Sequence, residues 1–376
     1  LKVAFVTSFP QDPGRPHGGV EAVSVNLIEA LAKFDDLEIN VITTDRACSS
    51  PTTCAWNGAT IHRLPWTSQK VLGHVLGDGR RSVRRCLETI EPDLIHAHDI
   101  YGLMVKGLAT PRVFTIHGFI HADTEVAGER LAWLRSRIWR RLETAGWADQ
   151  PHIVSISPYV RGYITGIARG VIHDIDNPIA EACFHIKRQE QKGTLFSAAL
   201  MCPRKNTLGL LKAFDRLISA GVDARLRLAG KAIDPDYERQ VIGFIQSHRL
   251  TDRINLLGAI TAYQVREELA HASVFALVSL EEGAPMGVAE AMAAAVPVVT
   301  SNRCGMPYMV RNGETGYLID PDNPDEIAAR LEHLLRSDDL RADMGQKARL
   351  IAEDRFHPAR VAEKTREVYY AAIRNH

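Results

Sequence analysis

The chain has 376 residues, 45% of them hydrophobic, which is enough for two or three domains with full cores. Lys+Arg and Asp+Glu both number 45, so the formal net charge is zero, and this argues against a nucleic-acid binder, which needs a basic domain. The six cysteines are scattered with no Cys-x-x-Cys pair, which argues for reduced thiols rather than a disulfide frame or a zinc site. No run of about 18 apolar residues is present to span a membrane. A first strand beginning at Lys2 is expected to leave no room for a leader, so the expected location is cytoplasmic.

Lys2 to Ser8 reads as a buried first strand. A Pro- and Gly-rich loop follows and ends in His17-Gly18-Gly19. Val20 to Lys33 then carries Val23, Leu27, Ala30 and Leu31 at helical spacing. A strand, a glycine loop and a helix N-terminus make a phosphate-facing unit, so Gly18 and Gly19 are candidates for close backbone approach to a ligand. The full Gly-x-Gly-x-x-Gly fingerprint of a nicotinamide cofactor is absent. Strands at Glu38–Thr44, Thr60–Leu64, Asp93–His98, Arg112–His117, Ile153–Ser157 and Val171–Ile175 alternate with helices. That rhythm predicts a parallel sheet covered on both faces. Ligands on such sheets sit at the carboxyl ends of strands, where His117 falls. His96-Ala97-His98 also ends a strand, and no metal is expected there. Arg130 to Trp147 interleaves Arg130, Arg135, Arg137, Arg140 and Arg141 with apolar and aromatic residues. Such a helix can lie on an anionic membrane surface, and Arg80, Arg81, Arg84 and Arg85 form a second basic cluster. The plainer reading is a helix that packs on the core and shows solvent a charged face.

Glu181 to Lys192 is polar and reads as a connector. Thr194–Ala199 is a strand, Met201 to Asn206 its loop and Leu208–Leu217 its helix. Arg204 and Lys205 therefore place cations before a helix N-terminus. Arg225–Ala229 and Ile254–Leu257 are two further strands. Val274 to Val278 is a short apolar run, read as a buried parallel strand, and Ala289 to Ala295 is rich in helix formers. Between them the chain turns at Gly283 and Pro285, so a helix tip again faces a strand end. Pro285 has no N–H, which leaves the amides of Met286, Gly287 and Val288 as phosphate donors. Glu282 in the turn and Glu290 in the second helical turn would stand on the order of 10 Å apart. That separation matches the reach from ribose to sugar in a nucleotide-sugar. A final strand at Tyr317–Ile319 precedes helices from Asp325 and Asp338, with Asp338 read as an N-cap, and an amphipathic segment Pro358 to Ile373.

Glu282-Gly283, Glu290-Ala291-Met292-Ala293 and Pro297-Val298 resemble the Glu-x7-Glu motif of the family 4 retaining glycosyltransferases. The family has the GT-B arrangement: two Rossmann-like parallel-sheet α/β domains with a cleft between them and a C-terminal helix crossing back. Gly18-Gly19, the Asp93–His98 strand, Asp176-Asn177-Pro178, Lys205 and Arg303 to Tyr308 resemble further family segments. The chain departs from the family at Ala199, at Ala284-Pro285, at Tyr308 and at Ala295, where Gly is usual. Ala295 is expected to hold an ordinary backbone conformation.

The resemblance implies an acceptor-side domain over 1–180 with a crossing helix over 357–376, and a nucleotide-sugar domain over 190–356. It implies a nucleoside-diphosphate sugar donor and a glycan or lipid-linked glycan acceptor, and the Arg130 to Trp147 helix adds the inner face of a membrane as a place to meet it. Glu290 would bind ribose, and Lys205 with Arg204 would hold the diphosphate with the amides of Met286, Gly287 and Val288. Glu282 and His117 would hold the sugar, and Gly18 and Gly19 would close over the phosphates. Neither metal nor cofactor is expected, because protein cations would neutralise the leaving group. The alternatives are a nucleotide-sugar 2-epimerase-like isomerase, which needs acid and base carboxylates and no acceptor, and a non-catalytic nucleotide-sugar binder.

Overall fold

The computed structural model describes residues 1–16, 18–121 and 132–376. His17 and Arg130 of the segments singled out above lie outside the described residues. The chain divides into two compact units. Among the described residues, one holds the positions up to Pro178 together with Pro358–His376, and the other holds Ile179–His357.

The first unit is built on β1 (Lys2–Val6), β2 (Glu38–Asp45), β3 (Thr52–Trp56), β4 (Ala59–Pro65), β5 (Leu94–His98), β6 (Arg112–Ile116), β7 (His152–Ser155) and β8 (Val171–Asp174). They form one sheet in the order β3-β4-β2-β1-β5-β6-β7-β8. Every neighbouring pair is parallel except β3 with β4, a hairpin turned at Asn57-Gly58 with positive φ at both residues. The strand rhythm did not reveal β3, because Thr52 to Ala55 are exposed and lack an apolar face. After β4 the chain jumps back across the sheet to β5, so β1 and β5 flank a switch point. The C-terminal helix Pro358–Arg374 belongs to this unit. Its Tyr369 is fully buried against Phe5 and His96, and Arg366 and Tyr370 both bond the Asp36 carboxylate. The Arg366 and Tyr370 hydrogen bonds hold that carboxyl down at about 2.

The second unit carries β9 (Thr194–Ala198), β10 (Arg225–Ala229), β11 (Ile254–Gly258), β12 (Val274–Leu277), β13 (Val298–Ser301) and β14 (Gly316–Ile319), all parallel, in the order β11-β10-β9-β12-β13-β14. Alternation along β9 sends Leu195 into one buried cluster and Phe196 into another. Helices cover both faces, which is why β12, in the middle of the sheet, reads as a continuous apolar run. The switch point lies between β9 and β12, whose carboxyl-end loops carry Lys205 and Glu282.

Two local expectations need correction. The helix Asp338–Arg355 is capped by Ser337, whose hydroxyl accepts from the Leu340 N–H, so Asp338 is its first residue and not its N-cap. Ala295 is not in an ordinary conformation, since its φ is +54°. The helix Met286–Ala293 ends in a Schellman turn, with the Val296 N–H on the Ala291 carbonyl and the Ala295 N–H on that of Met292. Ala295 holds the left-handed position of that turn, where Gly avoids the Cβ penalty. Ala295→Gly is expected to raise stability by about 1 kcal/mol, read as a higher urea midpoint at constant m-value. A lower midpoint would mean that the lost methyl contacts and the freer unfolded chain outweigh the relief.

Candidate functional site

In the second unit, the chain leaving β9 makes a tight turn at Pro203–Lys205 before the helix Thr207–Ser219. Asn206 sits at φ +53° and caps that helix by accepting from the Gly209 N–H. Its side-chain amide also donates to the carbonyls of Val278 (3.2 Å) and Pro321 (2.8 Å). One residue thus ties together three loops at the carboxyl edge of the sheet and fixes Lys205 beside the loop after β12. That loop is fastened from its other side. Ser301 Oγ donates to the Ser279 carbonyl at 2.6 Å, and the Gly305 N–H to that of Glu282 at 2.8 Å. A Cβ on Gly305 would lie 1.7 Å from the Gly283 oxygen, so only glycine lets the two segments meet.

Glu282 is 8% exposed. Lys205 Nζ donates to its Oε1, and Arg204 lies 3.6 Å from Oε2 while also donating to the Glu281 carbonyl at 2.7 Å. Burial opposes the charge on Glu282, but Lys205 and then Arg204 outweigh it and hold the carboxyl below its ordinary value. The three side chains form a compact charged group with a net positive charge. A small cavity lined by Ser197, Lys205, Thr207, Gly230 and Val278 opens beside it.

The helix Met286–Ala293 starts at Pro285, which offers no side-chain cap. The Val288 N–H is already spent on the Pro285 carbonyl at 3.2 Å. Among the described residues no protein acceptor is found for the amides of Met286 and Gly287. Two donors and the positive end of the helix therefore remain for an anion. A turn further on, Glu290 is half-buried, and burial pushes its carboxyl up to about 6 against the pull of Arg266.

In the first unit, Gly18 is the extended N-cap of the helix Gly19–Leu31, at φ −171°. A Cβ built on it meets nothing within 4 Å among the described residues, so neither backbone strain nor packing against them requires glycine there. His117 follows β6, and its N–H donates to Asp99 Oδ1 at 2.8 Å. Its Nε2 is engaged with His98 Nδ1 at 3.1 Å, a pairing that the motif did not reveal. Burial lowers the His117 ring to about 4, so it is neutral near pH 7. Among the described residues no group of three or more His, Cys, Asp or Glu is placed to hold a metal ion.

The two basic segments differ in what their arginines touch. Arg80 and Arg84 donate to the Lys106 carbonyl, so half of that cluster is spent on backbone, while Arg81 and Arg85 stay exposed. The helix Ala132–Trp147 buries Ser136, Glu143 and Trp147 and exposes Trp133 (63%), Leu134 (43%) and Ile138 (43%) beside Arg135, Arg137 and Arg141. Among the described residues no helix is long and apolar enough to cross a membrane.

Residues 180–351 match the family model described as Glycosyl transferases group 1, and residues 17–181 match that described as Glycosyltransferase Family 4. The N-acetyl-alpha-D-glucosaminyl L-malate synthase of Bacillus anthracis is 27% identical over 171 residues, 46% of this chain and 43% of that protein. The chain spans 43% and 36% of the lengths of the first two curated relatives it matches. Among solved structures, sucrose-phosphate synthase from Thermosynechococcus elongatus aligns over 100% of both chains with a TM-score of 0.83 at 18% identity. Anabaena HepE, in complex with UDP and glucose, aligns over 98% of this chain and 99% of its own with a TM-score of 0.75 at 16% identity. At such identities the likeness establishes the shared fold, which is GT-B.

Proposed function

This chain belongs to the family 4 glycosyltransferases, and from that premise we propose that it is a retaining enzyme, moving a sugar from a nucleoside diphosphate onto a hydroxyl acceptor. The observation that carries this reading is the meeting of Lys205 and Glu282 at the switch point of the second sheet. Lys205 and Arg204, with the open amides of Met286 and Gly287, are the diphosphate clamp. Glu290 takes the ribose hydroxyls, and Glu282, already oriented by two cations, takes hydroxyls of the sugar. Gly18 and Gly19 leave room for backbone to approach phosphate, in line with the lack of any internal need for glycine at 18. A uridine nucleotide is the first donor to try, since HepE holds UDP with glucose.

A carboxylate held by Lys205 and Arg204 is a poor nucleophile, which supports same-face attack without an enzyme-bound intermediate. The acceptor oxygen bonds to the anomeric carbon as the carbon–phosphate oxygen bond breaks. The acceptor proton passes to the departing diphosphate oxygen. Lys205 and Arg204 stabilise the charge that builds there, an electrostatic role that a metal fills in other designs. Transfer is accordingly expected to survive chelation of divalent cations. The test of retention is the anomeric configuration of the product by proton coupling, read against a donor of known anomer. A product of the opposite configuration removes the proposal.

The acceptor proposed is a glycan or a lipid-linked glycan, reached from an anionic membrane surface. Exposed Trp133, Leu134 and Ile138 flanked by arginines support this peripheral contact. The protein is expected to co-float with anionic liposomes at low salt, and the paired substitution Trp133→Ser, Leu134→Ser to abolish flotation. Equal retention of the variant, or no retention of the native chain, would count against it.

A further inference from the structure

His96 and His98 alternate with Ala97 on β5, so both rings leave the strand on the same face. Both are fully buried. His96 is satisfied at each nitrogen, Nδ1 with the Tyr369 hydroxyl and Nε2 with Thr115 Oγ1, both at 2.7 Å. His98 is satisfied at one. Its Nδ1 meets His117 Nε2 at 3.1 Å, and its Nε2 is buried without a partner among the described residues. The His117 ring packs against it with centroids 4.8 Å apart, and its own Nδ1 is buried without a hydrogen bond of good geometry. Burial keeps both rings neutral, so each carries a single ring proton.

Two arrangements share those protons. In the first, His98 Nδ1–H donates to His117 Nε2, and the proton of His117 sits on Nδ1. In the second, His117 Nε2–H donates to His98 Nδ1, and the proton of His98 sits on Nε2. Each leaves one N–H without a well-aligned acceptor among the described residues, and the place of that N–H decides between them. A buried donor without an acceptor is rare and costs more than a buried lone pair. The second arrangement strands it on a ring with no exposure at all. The first leaves it on His117 Nδ1, which is buried too but lies where the Asn177 carboxamide favours a proton on the ring.

We propose that His98 is a positioning residue, which by donating to His117 Nε2 holds His117 in the tautomer protonated at Nδ1. His117 is then a neutral hydrogen-bond donor whose Nδ1–H has no well-aligned acceptor among the described residues. Its backbone is fixed by Asp99, so the direction of that donor is fixed as well. Both ring nitrogens of His117 are thereby turned to the protein, Nε2 to His98 and Nδ1 towards Asn177, so the ring keeps one orientation at the strand end and does not act as a base. The consequence for transfer rests on the function proposed above, whereas the tautomer does not.

The experiment is nitrogen-15 NMR of histidine-labelled full chain without ligand, with the two rings assigned from His117→Asn and His98→Asn spectra. The expected result is a bare Nε2 and a protonated Nδ1 on His117. A proton on His117 Nε2 overturns the proposal whether or not any donor is turned over. In His98→Phe, which keeps the ring packing and loses the donor, His117 is expected to lose its single tautomer. Transfer is expected to fall about 3–10-fold, the worth of one neutral hydrogen bond, mainly in kcat. In His98→Asn, which sets an N–H near the place of Nδ1, both the tautomer and the rate are expected to return. A His98→Phe spectrum with the His117 tautomer unchanged overturns the proposal, as does a rate loss that His98→Asn fails to relieve while restoring the tautomer.

Discussion

Lys205→Ala is expected to lower the rate of transfer by roughly 10²–10³-fold, the usual effect of deleting one preorganised group that stabilises developing charge. The same change removes the chief partner of Glu282, which is 8% exposed and keeps Arg204, at 3.6 Å, as its remaining ion-pair partner among the described residues. Breaking a buried ion pair from one side costs about 3 kcal/mol, so a fall in stability accompanies the fall in rate. A double-mutant cycle with Glu282→Gln and Lys205→Met separates the two effects. The double variant removes both charges and is expected to recover most of the stability while remaining slow. Recovery of the rate as well would mean that the pair serves packing only. The sign of the pH dependence follows from the depressed carboxyl of Glu282. Its contribution to stability is full above the ordinary glutamate range and is lost as the pH falls through its lower folded value.

Glu290→Gln is expected to weaken nucleotide binding about 10–100-fold, as hydrogen bonds from the ribose hydroxyls to a charged acceptor are replaced by bonds to a neutral one. The unliganded protein is expected to become more stable by about 2 kcal/mol at pH 7, because the folded chain no longer holds a carboxylate whose pKa has risen from 4.5 to about 6. The pH dependence is opposite to that of Glu282. A raised carboxyl favours the folded state while protonated, so the native chain loses this stability as the pH rises from 4.5 through about 6. Nucleotide affinity runs the opposite way, rising through the same window as the carboxylate forms. Denaturant melts and nucleotide titrations at pH 5 and pH 7.5 check both slopes. A variant that is less stable at pH 7 while binding nucleotide normally would place Glu290 among structural ion pairs instead.

The strand rhythm was legible in most strands buried on both faces, as in β1, β5, β9 and β12, since apolar runs between turns have few other uses. β3 was not, because an exposed edge strand carries no apolar pattern. β13 was not singled out either: Val298 to Ser301 follow directly on the motif that drew attention to Pro297-Val298. The pairing of Glu282 with Lys205 joins residues 77 apart in sequence, and spacing alone does not give it. What spacing does give is that each ends a strand–loop–helix unit, and the sheet order then brings the two loops together. The left-handed Ala295 was hidden because nothing in an alanine signals positive φ, although a helix C-terminus is where to look for one. The His98–His117 contact was out of reach, since both residues were visible only as strand-end histidines on separate strands.

The central claim is that Lys205 and its neighbours grip a nucleoside diphosphate, and ligand-induced stabilisation of the native chain and of Lys205→Ala measures it most directly. At 100 times its dissociation constant a ligand adds about 2.7 kcal/mol to the native state, so one nucleoside diphosphate or its sugar should raise the melting temperature of the native chain by several degrees. The same ligand at the same concentration should raise that of Lys205→Ala far less. A full panel of uridine, guanosine and adenosine diphosphates and their sugars that leaves the native chain unshifted would contradict the account, as would a ligand that stabilises both proteins equally.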